Sequence, residues 1–359
     1  MMRTFTYSHY SLLNINCFFR AFAIKSPFPQ LHSYRSLLMP VKIGFIGAGG
    51  IANAHMNALQ VVEDVQIVAI ADVIQERAES AAARFLARAY SDYHEMIESE
   101  KMDAIYVCVP PFAHEDQEVL AAQKGIHLFV EKPVAVNMDT ARRVRDAIMR
   151  SDIVTAVGYH WRYGSNTERA REFLRDRQIG MVLGYWMGGF PGVMWWRQMA
   201  RSGGQMVEQT THIFDLARYI CGDVAEVYAA YANRVSQNIP EFDVYDVGTA
   251  TLKFETGVVG TISNTCILSV PNTVGLHVIA KDLVVEIHGD LKIIEPGHTE
   301  VFTGGSNAML EENKAFIEAV RTGNTDGIRS TYADALKTLA TTLACNESAA
   351  TGKPVKVKD

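Results

Sequence analysis

From Val41 onward the chain alternates two kinds of pattern. Short, β-rich apolar runs stand at 41–46, 65–71, 104–109, 127–130 and 154–159. Between them, residues 52–60, 75–84, 114–123 and 138–150 read as helices. Asp103, Gly125 and Asp152 mark turns leading into strands. Strand–helix alternation of this kind predicts a parallel sheet covered on both faces.

After Trp161 the pattern changes. A helix is expected at 165–178 and a strand at 182–189, followed by the loop FPGVMWWRQMARSGG and a helix at 205–220. Longer strand patterns then run at 225–235, 245–255, 257–268, 274–281 and 283–289. Turn signals such as Glu255-Thr256-Gly257 separate neighbours, which suits antiparallel hairpins. Helices at 307–321 and 330–350 close the chain, and no repeat or low-complexity segment is found. The expected fold class is α/β: a doubly wound parallel sheet over 39–160, then an α+β domain over 161–359 with a mainly antiparallel open sheet.

Composition narrows the class. A chain of 359 residues suits two domains. Apolar content of 48% and charged content of 21% are those of an ordinary soluble globular protein. A net charge of −6 argues against a general nucleic-acid binder. The five cysteines, Cys17, Cys108, Cys221, Cys266 and Cys345, form no short pair, so neither a zinc pattern nor a disulfide framework is expected. A reducing, cytoplasmic location follows. No run of eighteen apolar residues occurs, so no membrane span is expected. Residues 1–38 stand apart: they hold no Asp or Glu, but carry Arg3, Arg20, Lys25 and Arg35. They read as a leader or an extension before a start at Met39, loosely ordered and without chemistry.

Four motifs carry the chemistry. The first is Gly47-Ala48-Gly49-Gly50-Ile51-Ala52, a G-x-G-x-x-A pattern between a strand and a helix. Gly47 permits the tight turn, Gly49 lets backbone approach a pyrophosphate, and Ala52 lets the helix lie close to its strand. Asp72 ends the next strand, 25 residues after Gly47, where a carboxylate accepts from ribose hydroxyls and repels a 2′-phosphate. The expected cofactor is NAD. NADP is not excluded, because Arg77 is close in sequence.

The second motif is Glu131-Lys132-Pro133 at a strand end, where open α/β sheets bind ligands. Lys132 offers a cation to an oxyanion formed during hydride transfer, and Pro133 is a candidate cis proline. The third is GGQMVEQTTHIFDLARYI. On one continuous helix Glu208, His212 and Asp215 fall at i, i+4 and i+7 on a single face, where a carboxylate can fix a histidine tautomer. A plain solvated stripe explains the spacing equally well. Metal binding there lacks a third ligand at zinc spacing, so no metal is expected. The fourth comprises His160, Trp161 and Arg162 in GYHWRYG, with Trp195, Trp196 and Arg197 in the later loop. Aromatic faces and arginines suit a sugar, although the Trp pair serves equally as an apolar plug.

Together GFIGAGGIANAHMNAL, IADV, VCVPPFAHEDQEVLAAQKGIHLFVEKPVA, GYHWRY and SGGQMVEQTTHIFDLARYICGD resemble the Gfo/Idh/MocA oxidoreductase family in content and order. The resemblance implies NAD(P)-linked oxidation or reduction of a sugar, cyclitol or related polyol. It also implies an open C-terminal sheet used for homodimer or homotetramer formation. It puts Lys132 in the catalytic lysine position and His212 in the general acid/base position, with Glu208 as the third catalytic candidate. Candidate cofactor contacts are Gly47, Gly49, Gly50, Ile51, Ala52, Asp72, Pro110, His114, Glu131 and Lys132. Candidate substrate contacts are His160, Trp161, Arg162, Trp195, Trp196, Arg197 and Asp215. Two departures stand out: Glu208 where many inositol dehydrogenases of the family have Asp, and Pro111 where Asn is frequent. Two other readings stay open, an NAD-dependent glycoside-cleaving enzyme that oxidises its sugar transiently, and a non-catalytic NAD-sensing regulator.

Overall fold

The computed structural model describes residues 39–358 apart from Pro271; the 1–38 leader lies outside the described residues. Strands β1 (Val41–Ile46), β2 (Val65–Ala71), β3 (Arg88–Tyr90), β4 (Ala104–Val107), β5 (His127–Val130) and β6 (Thr155–Val157) form one parallel sheet in the order β3-β2-β1-β4-β5-β6. Both faces are buried by α1 (Gly50–Leu59), α2 (Gln75–Phe85), α3 (Tyr93–Ser99), α4 (Gln117–Gln123) and α5 (Met138–Ile148) and by two later helices, which is why β4 is apolar throughout. The strand order reverses between β1 and β4, which opens a crevice at their carboxyl ends. Short β3 and α3 went unread in the sequence, and α4 begins at Gln117 rather than 114.

The second sheet has nine strands. Helix α6 (Ser165–Leu174) precedes β7 (Ile179–Met187), and α7 (Met199–Ser202), α8 (Gln205–Glu208) and α9 (Thr211–Cys221) follow it. Then come β8 (Val224–Ala232), β9 (Val247–Phe254), β10 (Val259–Thr265), β11 (Val274–Ala280), β12 (Leu283–His288), β13 (Asp290–Glu295) and β14 (His298–Phe302). With β15 (Val355–Lys356), the order is β14-β13-β12-β11-β7-β10-β9-β8-β15. Every pairing is antiparallel except β7 with β10. One face is apolar and packs on α9, as the alternation in β9 and β10 requires; the other is open.

The expected single helix at 205–220 is in fact two. Thr210 N–H donates to Gln205 O at 2.9 Å, five residues back, and Ile213 N–H to Thr210 O at 2.8 Å, three residues back. This wide turn and tight turn in succession reset the helical phase between Glu208 and His212. The last two helices, α10 (Ala308–Thr322) and α11 (Tyr332–Thr351), return to the first sheet. Phe316 and Ile317 of α10 join the core around Phe45, Tyr106 and Phe129. Tyr332, Ala335, Leu336 and Leu339 of α11 lie against α5 and β6 and join the core around Ile105, Val107, Leu128 and Val130, while Ala344 and Cys345 belong to the core of the second sheet. A boundary at residue 160 therefore separates the two sheets but not their cores. Among the described residues no helix is long and apolar enough to cross a membrane.

Candidate active site

A cavity of about 1190 Å³ opens at the β1/β4 crevice and runs to the α8–α9 segment. Its first half is built by the glycine loop. Gly47 has φ +95°, and a Cβ there would meet the Cys108 carbonyl group. A Cβ on Gly49 or Gly50 would meet no atom within 4 Å, so that side of the loop is open and can take a ligand. Gly49 caps α1 without any side-chain hydrogen bond, and the first turn holds no acidic residue. Free N–H groups at a ten-residue helix's start make a seat for an anion. Ile51 lines the cavity, while Ala52 is buried beneath it against the sheet, as close helix–strand packing demands.

Asp72 ties this loop together. Its Oδ2 accepts from Ala48 N at 2.8 Å and its Oδ1 from Ile74 N at 2.8 Å, while the carboxylate still lines the cavity. Arg77 and Arg84 line the same end. Replacing Asp72 by Ser and Val73 by Arg removes repulsion toward a 2′-phosphate and adds a partner for it. The expected outcome is a shift of kcat/KM from NAD toward NADP; a wild-type protein that already binds NADP more tightly would refute the role given to Asp72.

The second half holds Lys132, Glu208 and His212, the candidate reactive side chains. Lys132 lies before Pro133, across a cis peptide bond. Its Nζ donates to Glu208 Oε1 at 3.0 Å and to Glu208 O at 2.9 Å. Glu208 Oε2 in turn accepts from Trp196 Nε1 at 2.7 Å. The Lys132–Glu208 pair keeps only 15% and 14% side-chain exposure, so the two charges face each other with little screening. Glu208 makes no hydrogen bond to His212, contrary to the expectation that it fixes the histidine tautomer. The reset at Gln209-Thr210 turns it toward Lys132 instead.

His212 sits in an aromatic cage. Trp186 and Trp161 stack on its ring at 5.9 and 6.3 Å, and His160 and Tyr159 meet it edge-on at 5.0 and 5.9 Å. Burial first, then the Lys132 charge and His160, hold its pKa well below the ordinary imidazole value. Its Nδ1 is buried with no hydrogen-bond partner among the described residues. His160, Glu131, Pro110 and Trp195 share the cavity wall with Phe112, which lies 6.3 Å from Trp195.

Beneath Lys132 lies a polar cluster that periodicity could not show. His55 Nε2 meets Glu131 Oε1 at 2.8 Å, and Asn313 Nδ2 meets His55 Nδ1 at 3.0 Å. A carboxylate can only accept, so Nε2 carries the proton and Nδ1 accepts from Asn313. Glu131 Oε2 accepts from Lys132 N at 3.0 Å. Any side chain at Gly158 would strike this carboxylate. Glu312, fully buried nearby, has no partner, and burial followed by the Glu131 charge raises its pKa well above the usual carboxyl range.

Several expected contacts lie outside the cavity lining. Arg162 Nε and Nη2 grip Asp215 Oδ2 and Oδ1 at 2.7 and 2.6 Å, and Thr338 Oγ1 donates to Asp215 at 3.0 Å. Arg162 is 3% and Asp215 1% exposed, so this pair ties α9 to α11 and leaves no side chain for a substrate. His114 is buried against Glu118 within one turn. Arg197 lies over the Phe190 ring, and Trp161 reaches the site only through His212. Trp196 is fully buried among Phe242, Val244 and Cys266, the apolar plug weighed for it, and its indole N–H also holds Glu208.

Parallel sheet, switch point and glycine loop together define a dinucleotide-binding protein of the Rossmann type. Residues 41–159 match the oxidoreductase family with an NAD-binding Rossmann fold, and residues 167–295 match the GFO/IDH/MocA C-terminal domain. The chain is 30% identical over 228 residues to myo-inositol 2-dehydrogenase of Thermotoga maritima, covering 62% of this chain and 68% of that protein. It is 24% identical over 337 residues to scyllo-inositol 2-dehydrogenase (NAD(+)) of Bacillus subtilis, covering 88% and 96%. Levoglucosan dehydrogenase in complex with NADH has the same fold, with a TM-score of 0.79 at 20% identity over 89% of this chain and 100% of that one. The chain belongs to the Gfo/Idh/MocA family of NAD-dependent oxidoreductases.

Proposed function

We propose that the protein oxidises a secondary alcohol of a sugar, cyclitol or glycoside, or reduces the matching ketone. The observation that carries this reading is the meeting of Lys132, Glu208 and His212 in the cavity that the glycine loop opens. NAD, when bound, supplies the hydride acceptor. Gly49, Gly50 and Asp72 would hold it, with the free α1 terminus on its pyrophosphate.

In the oxidative direction His212 accepts the hydroxyl proton, because burial keeps it neutral and ready. Lys132 lends its charge to the alkoxide as that forms. Glu208 holds the lysine head in place and, with the Trp196 N–H, stands where a further substrate hydroxyl can exchange into the network. His160 and Trp195 flank the substrate, and the aromatic cage excludes water from His212. The names of the inositol dehydrogenase relatives support a polyol. A turnover screen of polyols, free sugars and glycosides with NAD and NADP, followed by nicotinamide absorbance, tests the reading. Absorbance growth with a polyol or sugar is expected. Glycoside cleavage without net cofactor change would replace it, and tight NAD binding with no turnover anywhere in the screen would sink it.

We further infer a cytoplasmic homodimer or homotetramer assembled through the open face of the second sheet. Met181, Tyr228 and Val259 on that face are 40%, 46% and 44% exposed. Cys108, Cys221, Cys266 and Cys345 are all unpaired, in keeping with a reducing compartment. A monomer mass by light scattering would overturn the assembly.

A further inference from the structure

The open face of the second sheet carries a second cluster of chemistry, separate from the cavity. His277 on β11 stands directly opposite Glu286 on β12 in the antiparallel register, and His288 follows two residues on, on the same face. The His288 ring lies across Gly275: a Cβ there would run into His288 Cε1 at 2.8 Å and into Nδ1 more closely still. Glycine at 275 therefore lets this ring lie down toward its neighbour. The Nε2 atoms of His277 and His288 come to 2.6 Å, the Tyr185 ring packs edge-on against His277 at 5.4 Å, and His288 Nδ1 is buried without a partner. One ligand atom from each of His277, Glu286 and His288 lies within 4.8 Å of the other two. The cluster opens into a cleft of about 640 Å³ walled by Tyr185, Met187, Asn272, Thr273 and Val274.

We propose that His277, Glu286 and His288 form a site for a divalent transition-metal ion of the zinc class. Two imidazoles and one carboxylate are a known three-ligand set for zinc, with the fourth position left to water or another ligand. Imidazole nitrogen selects zinc, cobalt, nickel or copper over magnesium or calcium. Two Nε2 atoms facing each other can share only one proton, so at least one lone pair is available to a cation. Zn–N bonds of 2.0–2.1 Å at a tetrahedral angle require the nitrogens to part to about 3.3 Å. The half-buried rings reach that by a small rotation toward the open cleft. Lys292 sits 3.3 Å from Glu286 Oε2 and supplies a competing cation; its own side chain is 42% exposed and free to leave. Such an ion would clasp β11 to β12 from outside the core. The histidines lie on opposite sides of a hairpin, which is why chain spacing alone gives no zinc pattern. The proposal does not depend on the catalytic reading.

The test uses the full-length protein, stripped with chelator, in equilibrium dialysis against Zn²⁺ alone with the bound metal counted. Co²⁺ serves as the spectroscopic probe, since a tetrahedral N/O site absorbs strongly in the visible. One ion per chain is expected. Loss of an outer-shell partner alone costs a metal site about 10–100-fold, so His277→Ala and His288→Ala should each weaken binding by at least that much. Glu286→Gln should weaken it less. All three variants should keep NAD affinity and far-UV circular dichroism. No stoichiometric ion overturns the proposal, and so does zinc that binds equally well to the His277→Ala/His288→Ala double variant. The latter result would place the metal elsewhere, the buried His55–Glu131–Glu312 group being the other such cluster among the described residues.

Discussion

His212→Ala should lower kcat by about 100-fold or more on a confirmed substrate, the usual cost of losing a general base. Lys132→Ala should be comparably severe, since it removes the cation facing the alkoxide and frees Glu208 from its partner. The two residues come from different sheets yet act on one hydroxyl. The double variant should therefore be far less damaged than the product of the single effects. NAD affinity should barely change in His212→Ala. The pH profile adds a second check. Because the folded-state pKa of His212 is depressed, its imidazole is neutral and competent at pH values below the ordinary 6.5 or so. The acid limb of oxidative kcat/KM should lie below that value. The same shift makes the folded state lose stability as pH falls from about 6.5 through the folded-state pKa, because the unfolded chain takes up the proton first. Near-wild-type turnover in a folded His212→Ala protein, or an acid limb above pH 7, would remove His212 from the mechanism.

Asp215→Ala should cost about 1.5–3 kcal/mol of stability, the usual cost of losing hydrogen bonds to a buried charged group, because Arg162 keeps a second carboxylate, Asp334 Oδ2, at 2.7 Å. The Arg162 guanidinium would keep its charge in a site only 3% exposed, with both hydrogen bonds to Asp215 gone and only Asp334 and the Arg329 carbonyl left to hold it. Chemical denaturation should show the loss as a lower midpoint. Turnover per folded molecule should change little, since neither side chain reaches the cavity. The reverse pattern, intact stability with collapsed kcat, would restore both residues to the substrate role that helical spacing suggested. Asp215→Asn keeps an acceptor for Arg162 and should fall between wild type and Asp215→Ala.

The contrast between Asp215 and Lys132 shows what a chain of letters can convey. The placement of Lys132, the glycine loop and Asp72 at the cavity was legible because each stands on local structure, a strand end or a tight turn, that neighbouring residues specify. Asp215 was placed with the substrate because its position on the helix does not reveal that Arg162, 53 positions earlier in the chain, takes both its carboxylate oxygens, while the wide turn at Thr210, made by backbone that no periodicity reports, turns Glu208 away from His212. His55 and Glu312 went unread for another reason. His55 meets Glu131 across 76 positions and Asn313 across 258, and nothing in either segment points to its partner. Among the elements, β1, β2 and β5 came out with their observed ends because they are central and apolar on both faces. Strands β3 and β14 were missed: one spans three residues, and the other is exposed along nearly its whole length and so has no alternation to read.

Helix α11 contributes Tyr332, Ala335, Leu336 and Leu339 to the core of the first sheet, against α5 and β6. A nascent chain that has emerged only to residue 160 carries all six strands of the first sheet but lacks this covering. At about 5–20 residues per second, the ribosome takes roughly 10–30 s more to reach residue 332. Throughout that interval the part of the sheet that α11 covers is an apolar surface open to solvent. Folding of the dinucleotide-binding half is thereby completed only after the α11 segment has been made, although that half is made first.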